Sequence, residues 1–511
     1  MGDPVSETSF DVVVVGSGGG ALTAAYLAQK RGLRTVVVEK TAYCGGTSAY
    51  SGGACWLPGS QVQQRAGISD STDGARDYLG ALLVDPDQVK VEAFLAEAPR
   101  LVAELEEDDA FDFEWLPFPE YYDGPGRVPF GRSIQPKNVK RAELPEDVAA
   151  LVRPPVELDR QGLPGKNTLS GGQSLIARLL WAFTRDGGTV LTGHSVETLV
   201  TEGDGADLRV TGVVARTAAG ETTITGTRGV IVASGGFEHN PAWRSRYGVP
   251  GDSTWSMAPD DTNVGEPIAA AQSIGAATDL LDQGWFCPGL EHPDGHGSFT
   301  LGFRSGVIVD ADGDRYANES LPYDRFGKEM AKAENRIPSW FVFDNAEGGG
   351  LPAIAMPEGD PADHLAAGTW VRAETLQELA ETLGLTNLLA TVERFNGFCE
   401  SGVDEDFGRG ADEYDTFFTG GTGPNKALVG VHQGPFTAAR FVLSDLGTKG
   451  GIVTDSSGRA LKEDGSVLSG LYATSNSAAN AFGAFYPGPG APLGTAMVFG
   501  SLAVQDIAAA G

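Results

Sequence analysis

The string Gly16-Ser17-Gly18-Gly19-Gly20-Ala21 follows the apolar run 10–15 and opens a stretch of helical composition. This is the spacing of a phosphate-binding turn. Gly16 permits the tight turn, Gly18 lets backbone approach a pyrophosphate, and Ala21 lets the helix pack on the strand. The free N–H groups of such a helix stabilise phosphate charge. Glu39 ends the next apolar run, where a carboxylate accepts hydrogen bonds from an adenosine ribose. The predicted chemistry is dinucleotide binding, and the competing reading is a glycine turn with a structural role only.

These residues need a βαβ frame. The pattern predicts a buried strand over 10–15, a turn over 16–20, a helix over 21–31 stopped by Gly32, and a second strand over Thr35–Val38. A continuously apolar strand points to a parallel sheet covered on both faces. Further along, 70–110 reads as helical and acidic, 115–130 as irregular and aromatic, and 174–185 as a helix. Segments 190–200, 207–217 and 222–233 read as a small antiparallel sheet feeding back into the main one. From 281 to 444, strands at 306–309 and 340–343 alternate with helices at 376–383 and 388–398, the pattern of an inserted domain. The Gly-rich α/β character returns near 445 and ends in a helix over 492–510.

Composition limits the partners. The 511 residues suffice for two to four domains, or one large domain with an insertion. Against 37 Lys and Arg stand 68 Asp and Glu, a net charge of -31, which argues against nucleic acid and against adsorption to an anionic membrane. Four dispersed cysteines without CxxC spacing and six scattered His argue against a disulfide framework or structural zinc. His194 and His239 stand without partners at ligand spacing, so no metal is expected. The first residues lack a signal-peptide core, and the apolar run is too short for a membrane span. Met1, Gly2 and Ser6 match a loose acylation pattern, which Asp3-Pro4 makes a poor one. The expected location is cytoplasmic, with at most loose membrane association.

The segment Cys44-Gly45-Gly46-Thr47-Ser48-Ala49-Tyr50-Ser51-Gly52-Gly53 directly follows Glu39. An NAD domain would continue with another helix and strand. A Gly/Ser loop here resembles the two-dinucleotide-binding-domain flavoproteins, where it serves the pyrophosphate and isoalloxazine. The run Val230-Ile231-Val232-Ala233-Ser234-Gly235-Gly236 is a second strand-to-Gly turn of that class, and Gly470-Leu471-Tyr472-Ala473-Thr474-Ser475-Asn476 resembles its closing strand, with Ser475 where the family has Gly. Pro492 suits the first turn of the last helix, whose N-terminus would face the flavin's pyrimidine end and favour its reduced anion. The resemblance implies non-covalent FAD held by Gly16, Ser17, Gly18, Ala21, Glu39, Gly46, Thr47, Ser48, Gly53, Val196, Gly235, Asn476 and Leu493. The implied fold is α/β: a Rossmann-like FAD domain over 1–280 and 445–511, with an α+β catalytic domain over 281–444 and substrate between the two.

Arg315-Tyr316-Ala317-Asn318-Glu319 resembles a motif of fumarate-reductase-like flavoproteins, whose catalytic arginine would fall where this chain has Pro322-Tyr323-Asp324. A tyrosine suits a neutral substrate better than a dicarboxylate. With Phe485-Tyr486-Pro487-Gly488-Pro489-Gly490-Ala491-Pro492-Leu493-Gly494 and Phe118-Pro119-Glu120-Tyr121, the chain resembles the 3-ketosteroid delta-1-dehydrogenases along nearly its whole length.

That resemblance implies catalytic roles for Tyr121, Tyr323, Tyr486 and Gly490. Tyr323 is preferred to Tyr316 as base, because Tyr316 lies in a motif that braces the flavin site. Tyr486 O–H and Gly490 N–H would hold the ketone oxygen as an oxyanion hole does, and only a Gly-rich turn lets backbone come so close. Tyr323 would take the C2 proton with Tyr121 as hydrogen-bond partner and relay, and the C1 hydride would go to flavin N5. Phe118, Trp115, Phe130, Trp285, Phe286 and Phe303 are candidates for a flat apolar pocket, although each alone is more readily plain core. The partners expected are a 3-ketosteroid and an external electron acceptor. The alternatives are a related desaturase or fumarate-type reductase, and a flavin-holding redox sensor without turnover, in which the 486–490 string would have no use.

Overall fold

The computed structural model describes residues 8–346 and 348–510. Met1, Gly2 and Ser6 of the acylation pattern lie outside them. The chain forms two units: Met1–Asn240 with Ala258–Gln283 and Thr448–Gly511, and Pro241–Met257 with Gly284–Gly447.

The first unit is built on an eight-stranded sheet. Strand Ser9–Val15 lies at its centre, parallel to Thr35–Val38 on one side and to Gly220–Val232 on the other. Val12, Val13 and Val14 have no exposed surface, as a parallel strand covered on both faces requires. Thr189–Leu191 extends the sheet beyond Thr35–Val38, and Val467–Ala473 joins it against Val230–Val232. The first half of Gly220–Val232 instead pairs antiparallel with Arg209–Thr217, which pairs antiparallel with Ser195–Glu202. The switch falls at Gly226–Gly229, where the register against Ser9–Val15 slips. A Cβ on Gly226 would lie 2.8 Å from the Gly229 carbonyl oxygen, so glycine permits the bulge. Helices Gly19–Lys30, Gln88–Glu106, Gly171–Arg185 and Ala491–Ala509 belong to this unit.

The second unit has a five-stranded sheet in the order Gly284–Leu290, Phe436–Thr448, Ser339–Phe343 and Val307–Val309, with Trp370–Ala373 also paired to Phe436–Thr448. Helices Leu376–Leu383 and Leu388–Ser401 bury Leu379, Leu388, Val392 and Phe395 against Val307, Val309, Val342 and Ala438. Thr375 and Glu378 form a reciprocal capping box that starts the first of these helices, and Gly384 ends it in the left-handed conformation.

Composition placed 241–257 in the first unit, and the structure places it in the second. The cause is one buried carboxylate. Asp445 accepts from Arg244 Nη1 at 2.7 Å and from Ser256 Oγ at 2.7 Å, while its backbone carbonyl accepts from the Met257 N–H at 2.8 Å. An unpaired Arg244 or Asp445 in this interior would be strongly unfavourable, so the segment follows its partner. The four cysteines are free thiols. Among the described residues no helix is long and apolar enough to cross a membrane, and no group of three or more His, Cys, Asp or Glu could hold a metal ion.

Candidate active site

The nucleotide turn forms where strand Ser9–Val15 meets helix Gly19–Lys30. Gly16 has φ +98°, and a Cβ there would lie 2.4 Å from the Ala233 carbonyl oxygen, so only glycine fits. Gly18 has an ordinary extended backbone at the helix N-cap, and its missing Cβ faces only Ser48 Oγ at 3.3 Å. Ser17 Oγ donates to Glu39 Oε2 at 2.5 Å and accepts from the Gly45 N–H at 2.9 Å. The Thr41 hydroxyl and N–H both donate to Glu39 Oε1 at 2.8 Å. Arg153 in turn donates to Thr41 Oγ1 at 2.6 Å. The acid is therefore fixed in place before any ribose arrives.

The loop after Glu39 contains a short helix, Gly46–Tyr50. Ser48 Oγ accepts from the Gly19 N–H at 3.1 Å, which brings this loop to the phosphate-binding helix end. Thr47 Oγ1 is buried with no hydrogen-bond partner among the described residues. A buried hydroxyl left unsatisfied costs stability unless a ligand completes it. The orphaned hydroxyl, the open face of Gly18 and the pre-set Glu39 fit the polar atoms of FAD. Gly53 has φ +72°, and its Cβ would lie 2.4 Å from the Gly171 carbonyl carbon. Its glycine is thus needed for a close crossing with the start of helix Gly171–Arg185.

Other sequence-predicted cofactor residues lie in the same unit. Val196 is buried in strand Ser195–Glu202, and the His194 N–H donates to the Glu39 carbonyl at 2.9 Å just before it. Gly235 has φ +83° and leaves room for Asn263, whose Nδ2 would lie 2.6 Å from a Cβ. Ser475 has φ +60°, which explains why Gly is the family's residue there. Asn476 follows it, half-buried, in a short turn of helix. Leu493 lies in the first turn of helix Ala491–Ala509, where Pro492 also sits, and its Cδ2 would be 2.9 Å from a Cβ on Gly19.

Ala21, expected to pack its helix on the strand, is fully buried, and a second close approach, to the helix Ala491–Ala509, falls on Gly20. A Cβ there would lie 2.7 Å from the Ala496 carbonyl oxygen, and one on Gly500 would lie 2.8 Å from the Gly20 carbonyl oxygen. Sequence reading also missed Gly172, whose Cβ would lie 1.8 Å from the Ser48 carbonyl oxygen, and Ser477, which joins the two Gly turns. The Ser477 hydroxyl accepts from the Ser234 N–H at 2.9 Å and donates to the Gly235 carbonyl at 2.7 Å. A Gly pair opening a helix was the available signal for Gly172, whereas Ser477 had none.

Three of the four residues predicted to be catalytic come together in this unit. The Tyr121 and Tyr486 rings pack edge to face with centroids 5.1 Å apart, and both side chains are buried. Phe118 packs edge-on to Tyr121 at 6.3 Å. The Tyr121 N–H donates to the Pro487 carbonyl at 3.1 Å, and Tyr78 Oη donates to the same carbonyl at 2.6 Å. Burial pushes the Tyr78 hydroxyl well above its ordinary range, which keeps it a donor. Beneath Tyr121, the buried Glu120 carboxylate accepts from Arg132 Nε at 2.6 Å and from Trp56 Nε1 at 3.1 Å. Burial raises this carboxyl, and Arg132 offsets the rise only in part. Gly490 has φ +82°, and a Cβ on it would lie 2.2 Å from the Ala54 carbonyl oxygen. Its carbonyl accepts from the Trp56 N–H at 3.1 Å, while among the described residues its own N–H donates to no protein acceptor.

The second unit carries Tyr323, the first residue of helix Tyr323–Met330 after Pro322. Its ring meets Phe299 edge to face at 4.7 Å. Tyr316 is differently placed: its hydroxyl pairs with Ser339 Oγ at 2.8 Å, and Ser339 donates onward to the Arg336 carbonyl. Burial pushes the Tyr316 hydroxyl upward, beyond what Ser339 and Arg336 offset. Its motif braces the interior of the second unit: Arg315 forks onto Glu319 with two bonds of 2.8 Å and reaches Asp404 at 2.9 Å, and Arg409 meets Glu319 at 3.1 Å. Phe303 packs among Phe326, Phe341 and Phe441, in the unit's core.

The chain matches the FAD binding domain family over residues 11–493. It is 39% identical to the 3-oxosteroid 1-dehydrogenase of Rhodococcus opacus, with 98% of each chain covered. The chain belongs to the 3-oxosteroid 1-dehydrogenase family. It is an FAD-dependent oxidoreductase. This family member is also 36% identical to the 4-oxocyclohexanecarboxylate 2-dehydrogenase of Sinomonas cyclohexanicum, covering 99% of this chain and 94% of that one. Among solved structures it is similar to the 3-ketosteroid delta1-dehydrogenase of Sterolibacterium denitrificans in complex with 1,4-androstadiene-3,17-dione, with a TM-score of 0.89, 30% identity, and 99% and 100% of the chains covered.

Proposed function

We propose that this enzyme desaturates the C1–C2 bond of a 3-ketosteroid. The observation that supports the reading is the 486–490 segment, where the Tyr486 ring packs edge to face on the buried Tyr121 and, among the described residues, the Gly490 N–H donates to no protein acceptor. The names of the relatives support it, since each is a dehydrogenase of a ring ketone.

Tyr486 O–H and Gly490 N–H donate to the C3 oxygen and stabilise the charge that develops there as the C2 proton leaves. Tyr323 takes that proton, and Tyr121 passes it on. A tyrosine base has an ordinary pKa of about 10, so the site must favour its ionised form to use it near neutrality. Bound FAD supplies the acceptor for the C1 hydride. Loss of the proton from C2 and the hydride from C1 leaves the C1=C2 double bond. Ser17, Glu39, Thr47, Ser48 and the Gly16–Gly18 turn hold the cofactor without a covalent bond. An external acceptor takes the electrons from the reduced enzyme.

The test is anaerobic mixing of the yellow holoenzyme with 4-androstene-3,17-dione. Loss of the oxidised-flavin absorbance with formation of the 1,4-diene is the expected result. A holoenzyme that stays yellow with the steroid but is bleached by 4-oxocyclohexanecarboxylate would move the substrate to the smaller ring ketone and keep the chemistry. No bleaching by either would leave a flavin-holding protein without this activity.

A further inference from the structure

Ser133 lies in strand Ser133–Pro136, fully buried, opposite Trp56 in the antiparallel ladder. Its hydroxyl donates to the Pro489 carbonyl oxygen at 2.6 Å. That carbonyl and the Gly490 N–H belong to one peptide group. The Pro489–Gly490 bond is not among the chain's cis peptides, so its C=O and N–H point in opposite directions within one plane. A donor that fixes the carbonyl therefore fixes the direction of the N–H. The next peptide is held as well, because the Gly490 carbonyl accepts from Trp56 N at 3.1 Å and from Gly494 N at 2.8 Å. The turn's own bond, from the Ala491 N–H to the Gly488 carbonyl at 3.2 Å, spans this peptide without engaging its C=O or N–H, so the hydroxyl of Ser133 holds the group from outside the turn. A hydrogen bond to an amide oxygen also polarises the amide and strengthens its N–H as a donor.

We propose that Ser133 is a positioning residue for the oxyanion-stabilising N–H of Gly490. It acts through a single peptide group and without touching substrate. The inference rests on the oxyanion role proposed above for Tyr486 and Gly490, and deepens it.

The test compares Ser133→Ala, Ser133→Thr and Tyr486→Phe as FAD-loaded enzymes. One reading is exchange of the C2 hydrogens of 4-androstene-3,17-dione in deuterated water. A second is the ionisation of bound estradiol, followed by its phenolate absorbance, because its A-ring oxygen resembles the enolate. Misaiming one donor is expected to lower exchange by about tenfold or more in Ser133→Ala, with steroid affinity changed much less. The pH at which bound estradiol ionises should rise by about one unit, the same tenfold effect. Ser133→Thr, which keeps the hydroxyl, should restore both. If Ser133→Ala does not hold FAD, Ser133→Cys, of similar volume and weaker donor strength, takes its place in the comparison. Slow exchange in Tyr486→Phe with wild-type exchange in the alanine variant would overturn the role of Ser133 alone. Wild-type exchange in both would overturn the oxyanion reading itself. Equal loss in the alanine and threonine variants would make Ser133 a packing residue and also overturn the proposal.

Discussion

The Tyr121 ring stands edge-on to that of Tyr486, with planes 62° apart, and its backbone N–H holds the carbonyl of the next residue, Pro487. Two segments far apart in the chain thus share one rigid corner. Tyr486→Phe keeps the ring contact and removes only the hydroxyl. Loss of an oxyanion donor costs about 10²–10³ in rate, so C2 exchange and desaturation should fall together, with steroid binding changed only modestly. Wild-type exchange with slow flavin reduction would move Tyr486 to the hydride step.

Tyr323 and Tyr316 should separate cleanly. Tyr323→Phe is expected to lose most turnover while retaining FAD and steroid binding. Tyr316→Phe removes a buried hydroxyl bonded to Ser339, so it should cost about 1 kcal/mol of stability and leave turnover near normal. Thermal unfolding and steady-state rates on both variants decide it. The reverse pattern would make Tyr316 the base.

The two glycines of the nucleotide turn should fail in different ways. Gly16→Ala meets the Ala233 carbonyl and a positive φ, so it should reduce the yield of folded protein. Gly18 has an ordinary φ and an open side, so Gly18→Val should fold yet lose FAD. Circular dichroism together with flavin content after gel filtration distinguishes these outcomes. Retained FAD in Gly18→Val would mean that the turn is purely structural.

Acid should weaken the second unit through its buried ion network. Burial pushes the Glu319 and Asp404 carboxyls up, but Arg315 outweighs it and holds both below their ordinary range. The unfolded chain therefore binds these protons first as pH falls. The associated stability is present above the ordinary carboxylate range and is lost as pH drops through the depressed values. Glu319→Gln leaves Arg315 and Arg409 short of a buried partner and should cost about 3–5 kcal/mol. It should also flatten the acid limb of the stability profile measured by denaturant unfolding at several pH values.

What was legible in the sequence was local. Strand, glycine turn, helix and acid follow one another from Ser9 to Glu39, and each signal lies within a few residues of the structure that it specifies. Helix Leu376–Leu383 was legible for the same reason, with its capping box and its terminal glycine. Illegible were demands made by a distant backbone: Gly20 against Ala496, Ser477 between Ser234 and Gly235, and the Ser133 hydroxyl on Pro489. Arg244 pairs with Asp445, 201 residues further on, and no local pattern signals that partner or the assignment of 241–257 that goes with it. Phe303 had the composition of a pocket wall but packs among other rings of the core, a distinction that periodicity does not encode.

The glycine contact between the helices Gly19–Lys30 and Ala491–Ala509 has a consequence for synthesis. It joins residues made before the second unit with residues made after it. Domains generally fold as units during translation, yet the cofactor-binding half lacks one packed layer and one strand until Val467–Ala473 and Ala491–Ala509 have been made. Every segment of the other unit precedes residue 448 and is available sooner. The order of assembly is therefore the reverse of the order of the motifs: the nucleotide turn, made before the second unit, must wait for segments made after it.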